Sequence, residues 1–455
     1  MLRSFTLLAL ASYLLSLSPV RAEETEHAAK EAHAFLTRLC DDFGGRLTGT
    51  SQNRAALEAL AAELRALGYA PRFDEFDFPG WKRGEDSVEL VAPFPRQLRT
   101  AALAYSPTTP EFEAEVIDLG DFAAERTWSD AAGKVGLLSP SSLLSARQIG
   151  RRAAELGLKA VLFINREAGG QLLARTGSFV GEPLPMPIFS VTQEDGQSLQ
   201  RVLARGGAVR VRCVTASRPV PLRSANLVLR IPGRSPERVI VGAHFDSWDL
   251  GQGALDNGLG VAQLYALARK LRGIELARTV DLVWFNGEEQ GLWGSRHAAA
   301  GLGDAPVVAM MNLDMVGVPI AVNALGDEDL ATALERWHRR RTKPLPQGVQ
   351  NVNWFGSDHT PYQLVGVRTV TFHAPIPREA VRYYHDYADT IDKLPEQIVV
   401  DSTPIIFEVL RALVDDAALT PQRRSPEATQ KLFTAFGLEP RMRSIGYWPF
   451  ATRTP

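Results

Sequence analysis

The sequence predicts an α/β protein: a three-layer sandwich on a mostly parallel mixed sheet, with a second α/β module inserted into it. Three observations predict this. From Ser224 onward, short continuous apolar runs alternate with segments of helical period. Those runs lack polar alternation, as strands buried on both faces should. Upstream, residues 121–215 hold a separate strand–helix alternation with turn residues of their own.

Taken in order, the chain opens with Met1-Leu2-Arg3, an apolar run from Phe5 to Leu17, and Val20-Arg21-Ala22. This pattern reads as a signal peptide (1–22) cleaved after Ala22, which implies a secreted or periplasmic protein. The run is shorter than the ~20 residues a membrane span needs, so no membrane span is expected in the mature chain. Residues 24–42 have helical spacing, and a second helix runs from Ser51 to about Leu67, stopped by Gly68. Residues 71–100 alternate and carry prolines, as strands with turns do.

Within 121–215, KVGLLSP, KAVLFIN, MPIFSVT and AVRVRCV read as strands, and SARQIGRRAAELG and QEDGQSLQRVLARG as helices. Beyond it, ANLVLRI, RVIVGAH, TVDLVWFN, VVAMMNLD and VRTVTFH are strands, with helices at 257–272, 327–342 and 396–418. The partition is therefore a discontinuous main domain (23–120 and 216–420), an insert (121–215) and a weakly patterned tail (421–455) that wraps the surface or packs across another subunit.

Composition narrows the function. The 455 residues carry a formal net charge of −2, which argues against a nucleic-acid partner or an anionic membrane. Cys40 and Cys213 leave two readings open, one long-range bridge or two buried thiols; alone they cannot build a thiolate metal site.

In open α/β sheets, ligands bind beyond the carboxyl ends of the strands. Here those ends deliver acids and imidazoles. RVIVGAH ends in His244, followed by Asp246, and TVDLVWFN runs into Gly287-Glu288-Glu289. VVAMMNLD ends in Asp314, VRTVTFH leads to His385, and the loop after His244 carries Asp256. Imidazole and carboxylate suit zinc where thiolates are absent. The count suits two ions, with Asp256 bridging, His244 and Asp314 on one, and Glu289 and His385 on the other. Two divalent ions carry more charge than three carboxylates cancel, so the pair stays Lewis-acidic. Glu288 is left over as general base. Asp246 is placed to orient the His244 ring. His359 and His373 are reserve ligands. HExxH and GxSxG are both absent. Gly251-x-Gly253 only faintly resembles a dinucleotide loop, because Asp256 stands where its third glycine would be.

At AHFDSWDLGQGALDNGLG, FNGEEQGLWGS, NLDMVG, SDHTPYQLVGV and YYHDYADTIDKL the sequence resembles the co-catalytic di-zinc exopeptidases, and within them the carboxypeptidase Q branch. GGRLTGT and FPGWKRGEDSVELVAPF extend the likeness upstream. The resemblance implies the same ligands and base, a helper role for Asp246, and a protease-associated-type insert partly roofing the cleft. It further implies short peptides or dipeptides as substrates and a homodimer. Some relatives place an oxyanion-stabilising tyrosine upstream of Ser-Asp-His; NWFGSDH has Trp354 there. Two rival readings use related scaffolds: a one-zinc glutaminyl cyclase and a non-catalytic ectodomain.

Overall fold

The computed structural model describes residues 19–123 and 128–450, without the side chains of 19–22. Most of the signal segment lies outside that range. Two helices open the chain, α1 (Pro19–Phe43) and α2 (Ser51–Ala66). Thr50 caps α2, its side chain accepting from the Asn53 N–H. Strand β1 (Arg72–Lys82) follows, then β2 (Asp86–Ala92), β3 (Arg96–Leu98), β4 (Thr100–Ala102), β5 (Thr109–Gly120) and β6 (Val135–Leu138). Next come α3 (Ala146–Glu155), β7 (Ala160–Ile164), β8 (Ile188–Val191), α4 (Gln193–Ala204) and β9 (Arg210–Thr215). Ser145 and Gln148 close a reciprocal capping box on α3.

The main sheet has eight strands. Its later members are β10 (Arg218–Ile231), β11 (Ser235–His244), β12 (Arg278–Phe285), β13 (Val307–Asn312), β14 (Ala321–Asn323), β15 (Val349–Gln350) and β16 (Thr369–His373). Their order is β1-β10-β12-β11-β13-β16-β14-β15. The central four run parallel; β10 on one side and β14 on the other pair antiparallel to them, with β1 antiparallel to β10 and β15 parallel to β14 at the edges. Every residue of β12 and β13 is buried, as expected of central parallel strands, and the charged Arg278 and Asp281 of β12 are paired with Glu237 and with Arg230 and Arg238. Successive side chains of β11 serve opposite faces. Val239, Val241 and Ala243 join the larger core, which holds α1, α2, α5 (Leu259–Leu271) and α10 (Glu396–Asp415). Ile240 joins the smaller core under α6 (Trp293–Ala300) and α8 (His359–Leu364), with Ala299 and Tyr362. Helices thus cover both faces, giving the three-layer sandwich.

A second eight-stranded sheet, β3-β2-β9-β5-β6-β7-β8-β4, forms the inserted module. It begins at Asp86, well before residue 121. The reason is pairing: β2 and β5 flank β9, antiparallel on either side. Their polar–apolar alternation sets which face is buried, and says nothing about which sheet claims the strand.

The tail is more structured than its pattern suggests. Residues Pro426–Ala435 and Glu439–Ser444 form α11 and α12, after α7 (Glu328–Arg339) and a short α9 (Arg378–Val381) earlier in the chain. Phe433, Met442 and Tyr447 bury themselves with Leu292 and Phe355 of the same chain. The Ser145 hydroxyl donates to the Ser444 carbonyl at 3.0 Å, tying the tail to the module. Among the described residues, no helix is long and apolar enough to cross a membrane.

Cys40 sits in the main core and Cys213 in the module core, both as free thiols. Burial pushes both up to about 12. Denatured, unreduced protein should therefore react with two equivalents of a thiol reagent, while the native protein reacts slowly. A bridged protein would give none.

Candidate metal centre

The strand ends converge as the chemistry demands. His244 closes β11, Glu288 and Glu289 follow β12, and Asp314 follows β13. His385 arrives from the long loop after β16, and Asp256 from an irregular turn (Ala254–Gly258) leading into α5. His244 Nε2 lies 3.1 Å from Asp256 Oδ1 and 3.5 Å from Asp314 Oδ1. His385 Nε2 lies 2.9 Å from Asp256 Oδ2 and 3.1 Å from Glu289 Oε2. Asp256 thus gives one oxygen to each of two ligand groups, His244–Asp256–Asp314 and Asp256–Glu289–His385.

The imidazoles declare their tautomers. His244 Nδ1 donates to the Asp246 carbonyl at 3.0 Å, and His385 Nδ1 to the Ala174 carbonyl at 2.7 Å. A carbonyl only accepts, so each Nδ1 carries hydrogen. In the neutral ring, each Nε2 then directs a lone pair at carboxylate oxygens. Such a set holds together only around a cation. Without a metal, that cation is a proton. Burial lowers the His385 pKa, but Glu289 and Asp256 outweigh it and raise it to about 10. His244 is likewise raised against burial, by Glu288, Asp246, Asp256 and Asp314. Burial works to raise Asp256, and the two imidazoles hold it below its ordinary range. Burial pushes Glu289 up to about 7. His385 Nε2 makes no hydrogen bond despite its near oxygens, and Glu289 Oε1 is buried without a partner. These orphaned atoms fit metal ligands.

Glu288 shares the turn with Glu289 but belongs to neither group of three. Burial, with Glu289, Asp314 and Asp358 beside it, pushes its carboxyl well above its ordinary value, and His244 opposes this.

Asp246 is fully buried, but it works differently from expectation. Its main-chain carbonyl, not its carboxylate, accepts from the His244 ring; Oδ1 stays 3.7 Å away. The carboxylate accepts from the Glu288 and Glu289 N–H groups at 3.2 and 3.3 Å. It holds the turn that carries Glu288 and Glu289. The reserve histidines lie apart. His359 Nε2 meets the Trp354 carbonyl at 3.0 Å, and burial takes its pKa down to about 4. His373 Nδ1 bonds Gln347 at 2.8 Å near the surface. The Trp354 ring packs against His359 at a tilt, centroids 4.1 Å apart, and its indole N–H donates to Thr371 Oγ1 at 3.4 Å.

Several further residues of the quoted motifs position the site. Asp389 accepts from the Leu255 and Asp256 N–H groups at 2.8 and 3.0 Å, holding the bridging turn. The Ser357 hydroxyl donates to Asp314 Oδ2 at 2.6 Å and accepts from Asn312 at 2.8 Å. Arg46 is completely buried, and its guanidinium donates to the carbonyls of Phe245, Gly44, Gln252 and Gly253. It clamps both ends of the loop between His244 and Asp256. Gly253 has φ +59° there, and a Cβ would fall 2.2 Å from that of Ser247. Gly-Gly-Arg in the sequence was the available signal for Arg46; its partners are some 200 residues away.

Fold and site together present two candidate metal-ligand groups at the strand ends of an α/β sandwich. Residues 226–410 match the model of Peptidase family M28. Aminopeptidase YwaD of Bacillus subtilis (strain 168) is 25% identical over 397 residues, covering 82% of each chain. Carboxypeptidase Q of Bos taurus is 30% identical over 286 residues, 59% of this chain and 60% of its own. The chain therefore spans less than two thirds of the length of carboxypeptidase Q. A Peptidase M28 precursor from Shewanella amazonensis SB2B superposes with TM-score 0.76 at 19% identity, covering 89% of this chain and 99% of that one. A zinc aminopeptidase from Bacillus subtilis gives 0.71 at 22% identity, covering 86% and 97%. The segment that matches peptidase family M28, residues 226–410, contains both candidate ligand groups and Glu288.

Loss of an outer hydrogen bond to a ligand typically weakens metal binding 10–100-fold. Ser357→Ala should do so for the metal on Asp314, as measured by competition with a chelator. Unchanged affinity would show that the hydroxyl does not orient Asp314.

Proposed function

We propose that the protein is an exported zinc exopeptidase that hydrolyses dipeptides or terminal residues of short peptides. The observation that supports this most is the division of Asp256 between two complete ligand groups, each with its own histidine. His244, Asp256 and Asp314 would hold one zinc; Asp256, Glu289 and His385 the other. When bound, the metals supply Lewis acidity for an attacking water and for the negative charge that develops on the carbonyl oxygen.

The chain's own groups do the rest. Glu288, presented by the turn that Asp246 holds, takes the proton from water and returns it to the departing amine. Its raised pKa in the metal-free protein reflects burial among carboxylates, and the ions' positive charge would offset that crowding. The indole of Trp354 is committed to Thr371, so we do not assign it the oxyanion. Export rests on the N-terminal pattern, and a homodimer on family resemblance.

A one-metal cyclase would need only one of the two ligand groups, and a non-catalytic ectodomain would need neither the pair nor Glu288. Product analysis separates them: free amino acids support the peptidase, pyroglutamate the cyclase. Glu288→Gln should keep both metals while lowering kcat by about 10²–10⁴-fold. Full activity in that variant would remove Glu288 from the base role.

The module does more than narrow the cleft, because Ala174 holds a ligand ring. Removing it, as residues 86–215 or as 121–215, should cost metal at the His385 site as well as altering length preference. A deletion that keeps both metals and the same preference would contradict this.

A further inference from the structure

The proposal concerns Arg175, which follows the residue that holds His385. The segment from Gln171 to Thr176 crosses from the module to the metal loop. Leu172 N–H donates to Asp386 Oδ2 at 2.6 Å, and Ala174 N–H to the His385 carbonyl at 3.0 Å. With the Ala174 carbonyl on His385 Nδ1, these bonds fix the Arg175 backbone beside the metal ligands. Its own N-terminal neighbour and its carbonyl, which accepts from Ala104 N–H at 3.0 Å, are both anchored.

The side chain is anchored to nothing. Among the described residues, the Arg175 guanidinium has no hydrogen bond, no ion pair and no aromatic partner. That is unusual for a half-buried arginine in this protein. Arg46, Arg278 and Arg368, all buried, each fill their donors with carbonyls or carboxylates. The groups that act on Arg175 are few. Burial lowers its pKa; Tyr384 opposes, and Arg166 and Arg441 add like charge. Tyr384 stacks on His385, with ring centroids 3.6 Å apart and planes 21° apart, and is 41% exposed. Arg441, on the tail helix α12, lies over the Phe355 ring at 5.3 Å and, among the described residues, has no carboxylate partner. Burying a cation without an anion is costly. Arg175 is buried within the influence of two further cations, and among the described residues no carboxylate pairs with it.

We propose that Arg175 binds the free carboxylate of the substrate on the leaving-group side of the scissile bond, with Arg441 contributing attraction from the rim. A guanidinium fork matches a carboxylate in a two-point, charge-assisted bond. The preferred substrate class is then the dipeptide, or a short peptide losing its last residue, in preference to a longer peptide or an amino-acyl amide. This rests on the peptidase reading and decides between substrates that reading leaves equal.

The test compares a dipeptide with its C-terminal amide, using zinc-loaded wild type and the Arg175→Gln, Arg175→Lys and Arg441→Gln variants. Wild type should favour the free acid. Arg175→Gln should lower kcat/KM for the acid about 10–100-fold, the range for a lost hydrogen bond to a charged group, and leave the amide nearly unchanged. Arg175→Lys should keep part of the preference, and Arg441→Gln should reduce it only slightly, more so at low salt. Calorimetric titration with a free amino acid, which is not turned over, should show the same weakening in Arg175→Gln. Hydrolysis of acid and amide at equal rates by wild type, or an equal fall for both in Arg175→Gln, would overturn the anchor and leave the peptidase standing. Wild type that hydrolyses neither would overturn the peptidase reading and the anchor with it.

Discussion

The structure turns on one carboxylate placed between two imidazoles. Asp256 presents Oδ1 to His244 and Oδ2 to His385, and both oxygens lie in a buried site. Negative charge and lone pairs cannot be packed this way without a cation among them. The surrounding fold serves to keep them there. Asp389 holds the turn by two N–H bonds, and Arg46 clasps the carbonyls on either side of the loop. The parallel strands deliver the other ligands to the same rim. Protons on the two imidazoles can supply that positive charge, and the donor set also fits metal.

The module is part of that constraint. Its core includes Trp248 and Leu250, from the very loop that follows His244. The Trp248 ring meets His385 edge-on at 5.9 Å, and Ala174 fixes the same imidazole from the other side of the sequence. A roof that merely limited peptide length would not need to set the tautomer of a ligand. The tail likewise closes on its own chain: Arg296 lies between the rings of Trp293 and Tyr447, at 4.6 and 4.3 Å from their centroids.

Much of this was legible in the sequence. Unbroken apolar strands ending in His244, Glu288-Glu289 and Asp314 reveal both the layered fold and the rim, because burial on two faces and ligand placement at strand ends each leave a local mark. Asp246 was legible as a helper, but not which of its atoms acts, since backbone and side chain of one residue look alike in sequence. The module's true start at Asp86 was hidden, because alternation specifies a face and not a partner. The roles of Arg46, Asp389, Ser357 and Ala174 were hidden for a different reason, although the first three lie within the quoted motifs: each acts through a hydrogen bond to a group far away in the chain. The helices of the tail have short apolar faces, and only their docking on Leu292 and Phe355 reveals them.

The central claim is that Asp256 joins two metal sites into one. Metal analysis by mass spectrometry, on purified wild type and Asp256→Ala after zinc loading, tests it most directly. The account predicts two zincs per chain in the wild type and loss of both in the variant, with the fold retained by circular dichroism. A variant that keeps one zinc at undiminished affinity, or a wild type that never takes up more than one, would contradict it.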